Sequence, residues 1–193
     1  MLDNLEKYKV ILASGSPRRR ELMAGLGVNY EVRILPDVDE SYPDTLLGEE
    51  IPLYIAKEKA DAYIPMMQPD ELIITADTSV WLDCKVLGKP RDREDALQML
   101  RTMSGRTHEV FTGVCITTTD WQRSFTAQTE VRFATLCVDE FIYYVDNFKP
   151  RDKAGAYGVQ EWIGFIGVEN ISGSYYNIMG LPVQRLYREL LKV

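Results

Sequence analysis

An α/β fold with a mixed sheet is predicted by three features of the sequence. Residues 10–13 and 72–76 are short, wholly apolar runs, the pattern of strands covered on both faces. Amphipathic helical segments alternate with such runs in the first half of the chain. Residues 107–117 and 123–135 are long and β-rich, and read as an antiparallel pair. A chain of 193 residues suits one sizeable domain, or two small lobes around a cleft.

The first strand, residues 10–13, leads into Ser14-Gly15-Ser16, a small-residue turn. Ser16 is a good N-cap and Pro17 suits the first helical position, so a helix over residues 17–24 follows, with Gly25 and Gly27 as stops. Residues 28–35 are expected as a second strand, and residues 36–43 as a loop dense in carboxylates. A helix over residues 51–64 carries Leu53, Ala56, Ala60 and Ile64 at near-helical spacing and ends at Pro65. The strand over residues 72–76 delivers Asp77 and Thr78 at its carboxyl end, where ligands collect in open α/β sheets. A hairpin then turns at Asp83-Cys84-Lys85, and Asp92 caps a helix whose apolar face is Ala96, Leu97, Leu100 and Met103. After the two long strands come a helix over residues 139–147, an irregular Gly-rich stretch over 150–160, and a strand near 165–171. An amphipathic helix over residues 182–192 carries Leu186, Leu190 and Leu191.

Charge and composition exclude several classes of function. Acidic residues number 29 and basic ones 22, giving a net charge of -7, whereas a general nucleic-acid binder would be basic. No apolar run reaches transmembrane length and no signal core precedes the first strand, so no membrane partner is expected. The three cysteines are far apart and lack zinc spacing, which suits a reducing cytoplasm. No Walker A or G-x-G-x-x-G sequence is present. The single histidine, His108, is either a hydrolase base or a structural residue, and no G-x-S-x-G elbow accompanies it.

What remains is carboxylates and cations. Arg18, Arg19 and Arg20 crowd the first turn of a helix, where positive charge opposes the dipole unless an anion compensates. That start is either a phosphate site or a solvated basic turn. Asp77 could hold a divalent metal or orient a water, or simply make a turn. Asp39 and Glu40 could add metal oxygens, or belong to a solvated loop. Lys59, Lys89 and Lys153 are candidates for phosphate oxygens, with Lys89 fixed between Gly88 and Pro90. Together these groups, without a covalent nucleophile, suit metal-assisted hydrolysis of a phosphoanhydride.

These residues fall in ordered motifs. They are Leu12-Ala13-Ser14-Gly15-Ser16-Pro17-Arg18-Arg19, Ala56-Lys57-Glu58-Lys59-Ala60, Ala76-Asp77-Thr78 and Leu87-Gly88-Lys89-Pro90. Leu100-Arg101-Thr102-Met103-Ser104-Gly105-Arg106-Thr107-His108, Asp152-Lys153-Ala154-Gly155-Ala156-Tyr157-Gly158-Val159-Gln160 and Gly173-Ser174-Tyr175-Tyr176-Asn177-Ile178-Met179-Gly180-Leu181-Pro182 follow. In this order they closely resemble the Maf family of nucleoside triphosphate pyrophosphatases, over residues 10 to about 187. The resemblance implies a single domain over residues 1–193. Its fold would be a mixed, strongly twisted β-sheet flanked by helices, with two lobes around a deep cleft, as in inosine-triphosphatase-like proteins. It implies cleavage of a nucleoside triphosphate to monophosphate and pyrophosphate with a divalent cation, Mg²⁺ or Mn²⁺, and a homodimer.

By the family's pattern Asp77 is the catalytic base and a metal residue with Asp39. Arg18, Thr78 and Gln160 match positions that set base preference. Ser14, Arg19, Lys59, Lys89 and Lys153 match other pocket positions, while Arg20 is expected at plain surface. The segments around Gln160 and Tyr175 resemble the branch acting on dTTP and UTP, and modified pyrimidine analogues are expected with them. The alternative implied is a nucleotide-binding regulator of septum formation and cell division with little turnover. Two departures stand out: Glu161-Trp162-Ile163-Gly164 replaces a Gly-rich stretch, and Cys137 replaces a Thr or Ser cap, at about 1 kcal/mol.

Overall fold

The computed structural model describes residues 2–36 and 38–193; Met1, and Asp37 of the acidic loop, lie outside the described residues. The elements are β1 (Lys9–Leu12), α1 (Pro17–Gly25), β2 (Glu31–Val32), α2 (Glu50–Asp61), β3 (Glu71–Leu82), β4 (Lys85–Leu87) and α3 (Arg93–Met103). They continue with β5 (Thr107–Thr117), β6 (Gln122–Phe133), α4 (Val138–Phe148), α5 (Trp162–Gly167), β7 (Val168–Ser172), α6 (Tyr175–Ile178) and α7 (Val183–Leu190). Among the described residues seven strands form one sheet in the order β2-β1-β3-β5-β6-β7, with β4 paired to β3. β1 runs parallel to β2 and β3, whereas β3–β4 and β6–β7 are antiparallel, so the sheet is mixed as expected.

The chain divides into two compact units. The first comprises residues 1–77, 112–127 and 180–193. Its centre is the parallel pair β1–β3, where Ile11, Leu12, Ile73 and Ile74 are fully buried, as their unbroken apolar runs require. Helix α2 lies against the sheet at very short range. A side chain at Gly113 of β5 would meet the Pro52 carbonyl oxygen at 2.4 Å, and Ala56 and Ala60 pack on Cys115. Thr75 Oγ1, in β3, donates to the Ala56 carbonyl at 2.6 Å. Leu186 and Leu190 of α7 are also fully buried, and the Asn4 amide donates to the Leu190 carbonyl at 2.8 Å.

The second unit comprises residues 78–111 and 128–179. Asp83 and Cys84 adopt positive φ in the β3–β4 turn, the conformation a two-residue hairpin demands. Asp92 caps α3 through the Asp95 N–H, and Ala96, Leu97, Leu100 and Met103 are its buried face. Arg93 joins α3 to α4 by two bonds to Asp146, at 2.6 and 3.0 Å. At the start of α4 Glu140 accepts from the Cys137 N–H at 2.7 Å, the carboxylate half of a capping box. His108 is buried in a triangle of edge contacts with Phe133 and Tyr157, and its Nε2 lies 2.8 Å from the Tyr157 hydroxyl. It is a structural residue.

Several expected elements differ. The second strand covers only residues 31–32, because Arg33 and Leu35 bond to a side chain instead: the Tyr63 hydroxyl donates to the Arg33 carbonyl and accepts from the Leu35 N–H. α2 stops at Asp61, then a separate 3-10 turn, Ile64–Met66, holds Pro65, and Ile64 is exposed. Its buried face is Ile51, Ile55, Ala56 and Ala60. Residues 165–167 are helical, not extended. Helix α5 presses so close to residue 159 that a Cβ on Gly164 would lie 1.9 Å from the Val159 carbonyl oxygen, and Leu191 is exposed beyond the end of α7.

Burial pushes the His108 pKa down to about 4 from 6.5. The unfolded chain therefore takes up a proton that the folded one refuses as pH falls through this window. Stability should drop by up to about 3 kcal/mol between pH 6.5 and 4, and urea denaturation should show this contribution missing from His108→Asn.

Candidate active site

In the first unit, β1 ends at Leu12 and its successor Ala13 still donates to the Ile74 carbonyl at 2.9 Å. The chain then turns into α1. The Ser16 hydroxyl accepts from the Arg19 N–H at 3.4 Å, as the N-cap pattern predicts. Buried Ser14 accepts at Oγ from the Ser16 N–H and from Arg19 Nη1, at 3.3 and 3.5 Å. Arg19 Nε donates to the Gly180 carbonyl at 2.8 Å, which fixes the guanidinium plane. Burial lowers the Arg19 pKa, opposed by the charge of Asp77, deepened by that of Arg18, and opposed again by Glu40. The first turn of α1 carries no acidic residue, so the helix dipole and the arginines add to one positive field. Arg20 is half-buried, not plain surface, and donates from Nε to the Ser14 carbonyl at 3.5 Å.

Asp77 lies three residues beyond the last pairing of β3 with β1. It stands in the middle of a twelve-residue strand, not at a strand end. The expected break is missing because residues 71–82 continue unbroken, from parallel pairing with β1 to antiparallel pairing with β4. Lys59, in the last turn of α2, places Nζ 2.9 Å from Asp77 Oδ1 and 2.8 Å from Glu40 Oε1. The Lys59 and Asp77 side chains are only 14% and 17% exposed. Asp39, the neighbouring acid, is exposed, and its carboxylate accepts from the Ser41 N–H and hydroxyl, both at 2.8 Å. Those bonds hold its pKa below the ordinary carboxylate value.

Among the described residues no group of three or more His, Cys, Asp and Glu is arranged to hold a metal. Asp77 and Glu40 nevertheless place hard oxygens around one cation, the Lys59 ammonium. That donor set fits a magnesium-type ion, which takes one or two carboxylates and fills its shell with water and phosphate oxygens. Glu40 is thus the acid that the structure brings to Asp77, and the sequence signal for it was only the acidic loop.

The second unit holds the remaining candidates. Lys89 is exposed on a loop whose Gly88 carbonyl accepts from the Gly155 N–H at 3.0 Å, which ties it to the Lys153 segment. Gly155 and Ala156 both have positive φ there. Lys153 is buried, with Nζ 2.8 Å from Asp152 Oδ1 and 3.1 Å from Glu161 Oε1. The Tyr144 hydroxyl donates to Glu161 Oε2 and accepts from the Gly158 N–H. Burial, then that bond to Glu161, raises the Tyr144 pKa, so its proton stays on. Gln160 is half-buried and its Oε1 is buried without a hydrogen-bond partner. Thr78, the first residue of this unit, is half-buried in β3. Sequence reasoning missed Tyr144, which carried no signal beyond a helix position.

The fold class is one already seen in a solved structure. A HAM1 protein from Coxiella burnetii shares it with a TM-score of 0.51 at 14% identity, covering 96% of this chain and all of that one. The chain belongs to the Maf-like protein family, whose model matches residues 9–193. It is 68% identical over 193 residues to the dTTP/UTP pyrophosphatase of Bacteroides thetaiotaomicron, covering 100% of each. It is 54% identical over 192 residues to the dTTP/UTP pyrophosphatase of Porphyromonas gingivalis, covering 98% of this chain and 96% of that one.

Lys59→Met keeps the apolar stem and removes the charge between Asp77 and Glu40. It should destabilise the protein by about 2 kcal/mol, since a partly buried carboxylate is left without its cation. Adding Asp77→Asn should recover part of that loss, and chemical denaturation of the three variants measures it.

Proposed function

We propose that the protein hydrolyses dTTP, UTP and modified pyrimidine analogues to the monophosphate and pyrophosphate. The observation that carries this reading is Asp77, held by Lys59 in a strand covered by relatives of that name over their full length. Asp77 takes a proton from water as the water oxygen bonds to the α-phosphorus, and the bond from that phosphorus to the α,β-bridging oxygen breaks, releasing pyrophosphate. Ser14, Arg19 and the N–H groups opening α1 hold phosphate oxygens, with Lys59, Lys89 and Lys153 neutralising charge. The cofactor in this reading is Mg²⁺ or Mn²⁺, held by Asp77 with Asp39 and Glu40 of the acidic loop. When bound, it neutralises phosphoryl oxygens as a Lewis acid.

Arg18, Thr78 and Gln160 read the base. The orphaned Oε1 of Gln160 supports this, because an acceptor without a partner suits the imide N–H of uracil or thymine. A homodimer working in the cytoplasm completes the reading. Three free cysteines suit such a compartment, and no described helix is long and apolar enough to cross a membrane. The net charge of -7 disfavours a nucleic-acid partner.

Pyrophosphate release with Mg²⁺ should be fastest from UTP and dTTP in a panel that includes CTP, GTP and 7-methyl-GTP. Asp77→Asn should fold and lose about 100-fold or more in turnover, the scale of a lost general base, and Gln160→Ala should lose the preference for UTP over CTP. Wild-type rates in Asp77→Asn would remove it as the base. Nucleotide binding without release by the wild type would favour the regulator of cell division.

A further inference from the structure

The structure gives the Glu161 side chain three contacts. Oε1 lies 3.1 Å from the Nζ of buried Lys153. Oε2 accepts from the Tyr144 hydroxyl, which in turn accepts from the Gly158 N–H at 3.0 Å. The side chain also lies across Gly158, where an added Cβ would meet Glu161 Cδ at 2.8 Å. Its backbone closes the same turn, with the Glu161 N–H donating to the Gly158 carbonyl at 3.0 Å. Residues 158–161 therefore form a turn latched at both ends by one residue, and Gln160 rides on it. The latch is internal to the second unit and buried at Tyr144 and Lys153.

We infer that Glu161 is a positioning residue that couples the Lys153 ammonium to the turn presenting Gln160. This inference rests on the proposed pyrophosphatase reading. A lysine ammonium on a flexible stem loses rotamer freedom when it binds, and Glu161 removes that freedom in advance. Glutamine has the same problem at its own position, because an amide that rotates reads either hydrogen-bonding edge of a base. The Tyr144–Gly158 bonds hold the turn, so the amide's root is fixed. One carboxylate thus orders a group acting on phosphate and a group acting on the base. Glu161 touches neither the phosphates nor the base in this assignment, so its effects appear in binding and selectivity.

The experiment compares the wild type with Glu161→Ala, Glu161→Gln and Tyr144→Phe in UTP and CTP hydrolysis, with thermal unfolding as a fold control. Glu161→Ala should raise KM for UTP by about tenfold, with kcat changed less, and should narrow the UTP over CTP preference about fivefold. Glu161→Gln keeps an acceptor for the Tyr144 O–H but loses the negative charge facing Lys153, so it should retain the base preference and still raise KM. Tyr144→Phe keeps the buried ring and loses the latch, so the preference should narrow. A folded Glu161→Ala with wild-type KM and preference overturns the inference. So does a parallel fall in kcat for both nucleotides with KM and the ratio unmoved, which marks a merely structural residue. If the wild type releases no pyrophosphate from any triphosphate, the pyrophosphatase reading fails and the inference falls with it.

Discussion

A side chain at position 113 would meet the backbone of Pro52 and Leu53 at about 2.5 Å, so α2 can lie where it does only because β5 carries a glycine there. The same approach needs alanine at positions 56 and 60, and the Thr75 hydroxyl uses it to reach the Ala56 carbonyl. Lys59 lies one turn beyond Ala56 on the helix face that results. Its ammonium is thereby delivered between Asp77 on β3 and Glu40 on the acidic loop. Burial raises the stakes of that placement, because the Asp77 carboxylate and the Lys59 ammonium, both mostly shielded from water, must satisfy each other, with the half-exposed Glu40 as a second partner. Sheet packing and site electrostatics are here one problem with one solution.

The start of α1 follows a second constraint of the same kind. Arginines in a first turn oppose the helix dipole, yet Arg19 is held in place by Ser14 and the Gly180 carbonyl instead of swinging into solvent. Positive charge kept at such a position against its own field suits an anion that arrives later. In the second unit Lys153 is likewise buried and held, by Asp152 and Glu161. Both units thus fix cations at sites where freedom would be cheaper.

Much of this was legible in the sequence. The apolar runs of β1 and β3, the Ser16 and Asp92 caps and the buried face of α3 follow from local periodicity and capping chemistry, and the structure agrees with them. Asp77, Lys59 and Arg19 stood out by residue type and place, and Ser14 through the family resemblance. What failed has a tertiary cause. Asp77 looked like a strand end, but β3 exchanges one partner for another and continues. Residues 165–167 looked like a strand, but Gly164 lets a helix settle on the Val159 carbonyl. The second strand was cut short by the hydroxyl of Tyr63, a residue some thirty positions away. Glu40 over Asp39, and the Tyr144 latch, depend on where side chains meet, which no local pattern encodes.

The dependence of the site on the seating of α2 is tested most directly at Gly113. In Gly113→Ala the added methyl forces α2 away from the sheet and carries Lys59 from Asp77. The variant should remain folded with stability lower by about 1–3 kcal/mol. Pyrophosphate release from UTP should fall about tenfold or more, the scale reached when a catalytic group moves by an ångström. A folded Gly113→Ala that releases pyrophosphate at the wild-type rate would contradict it.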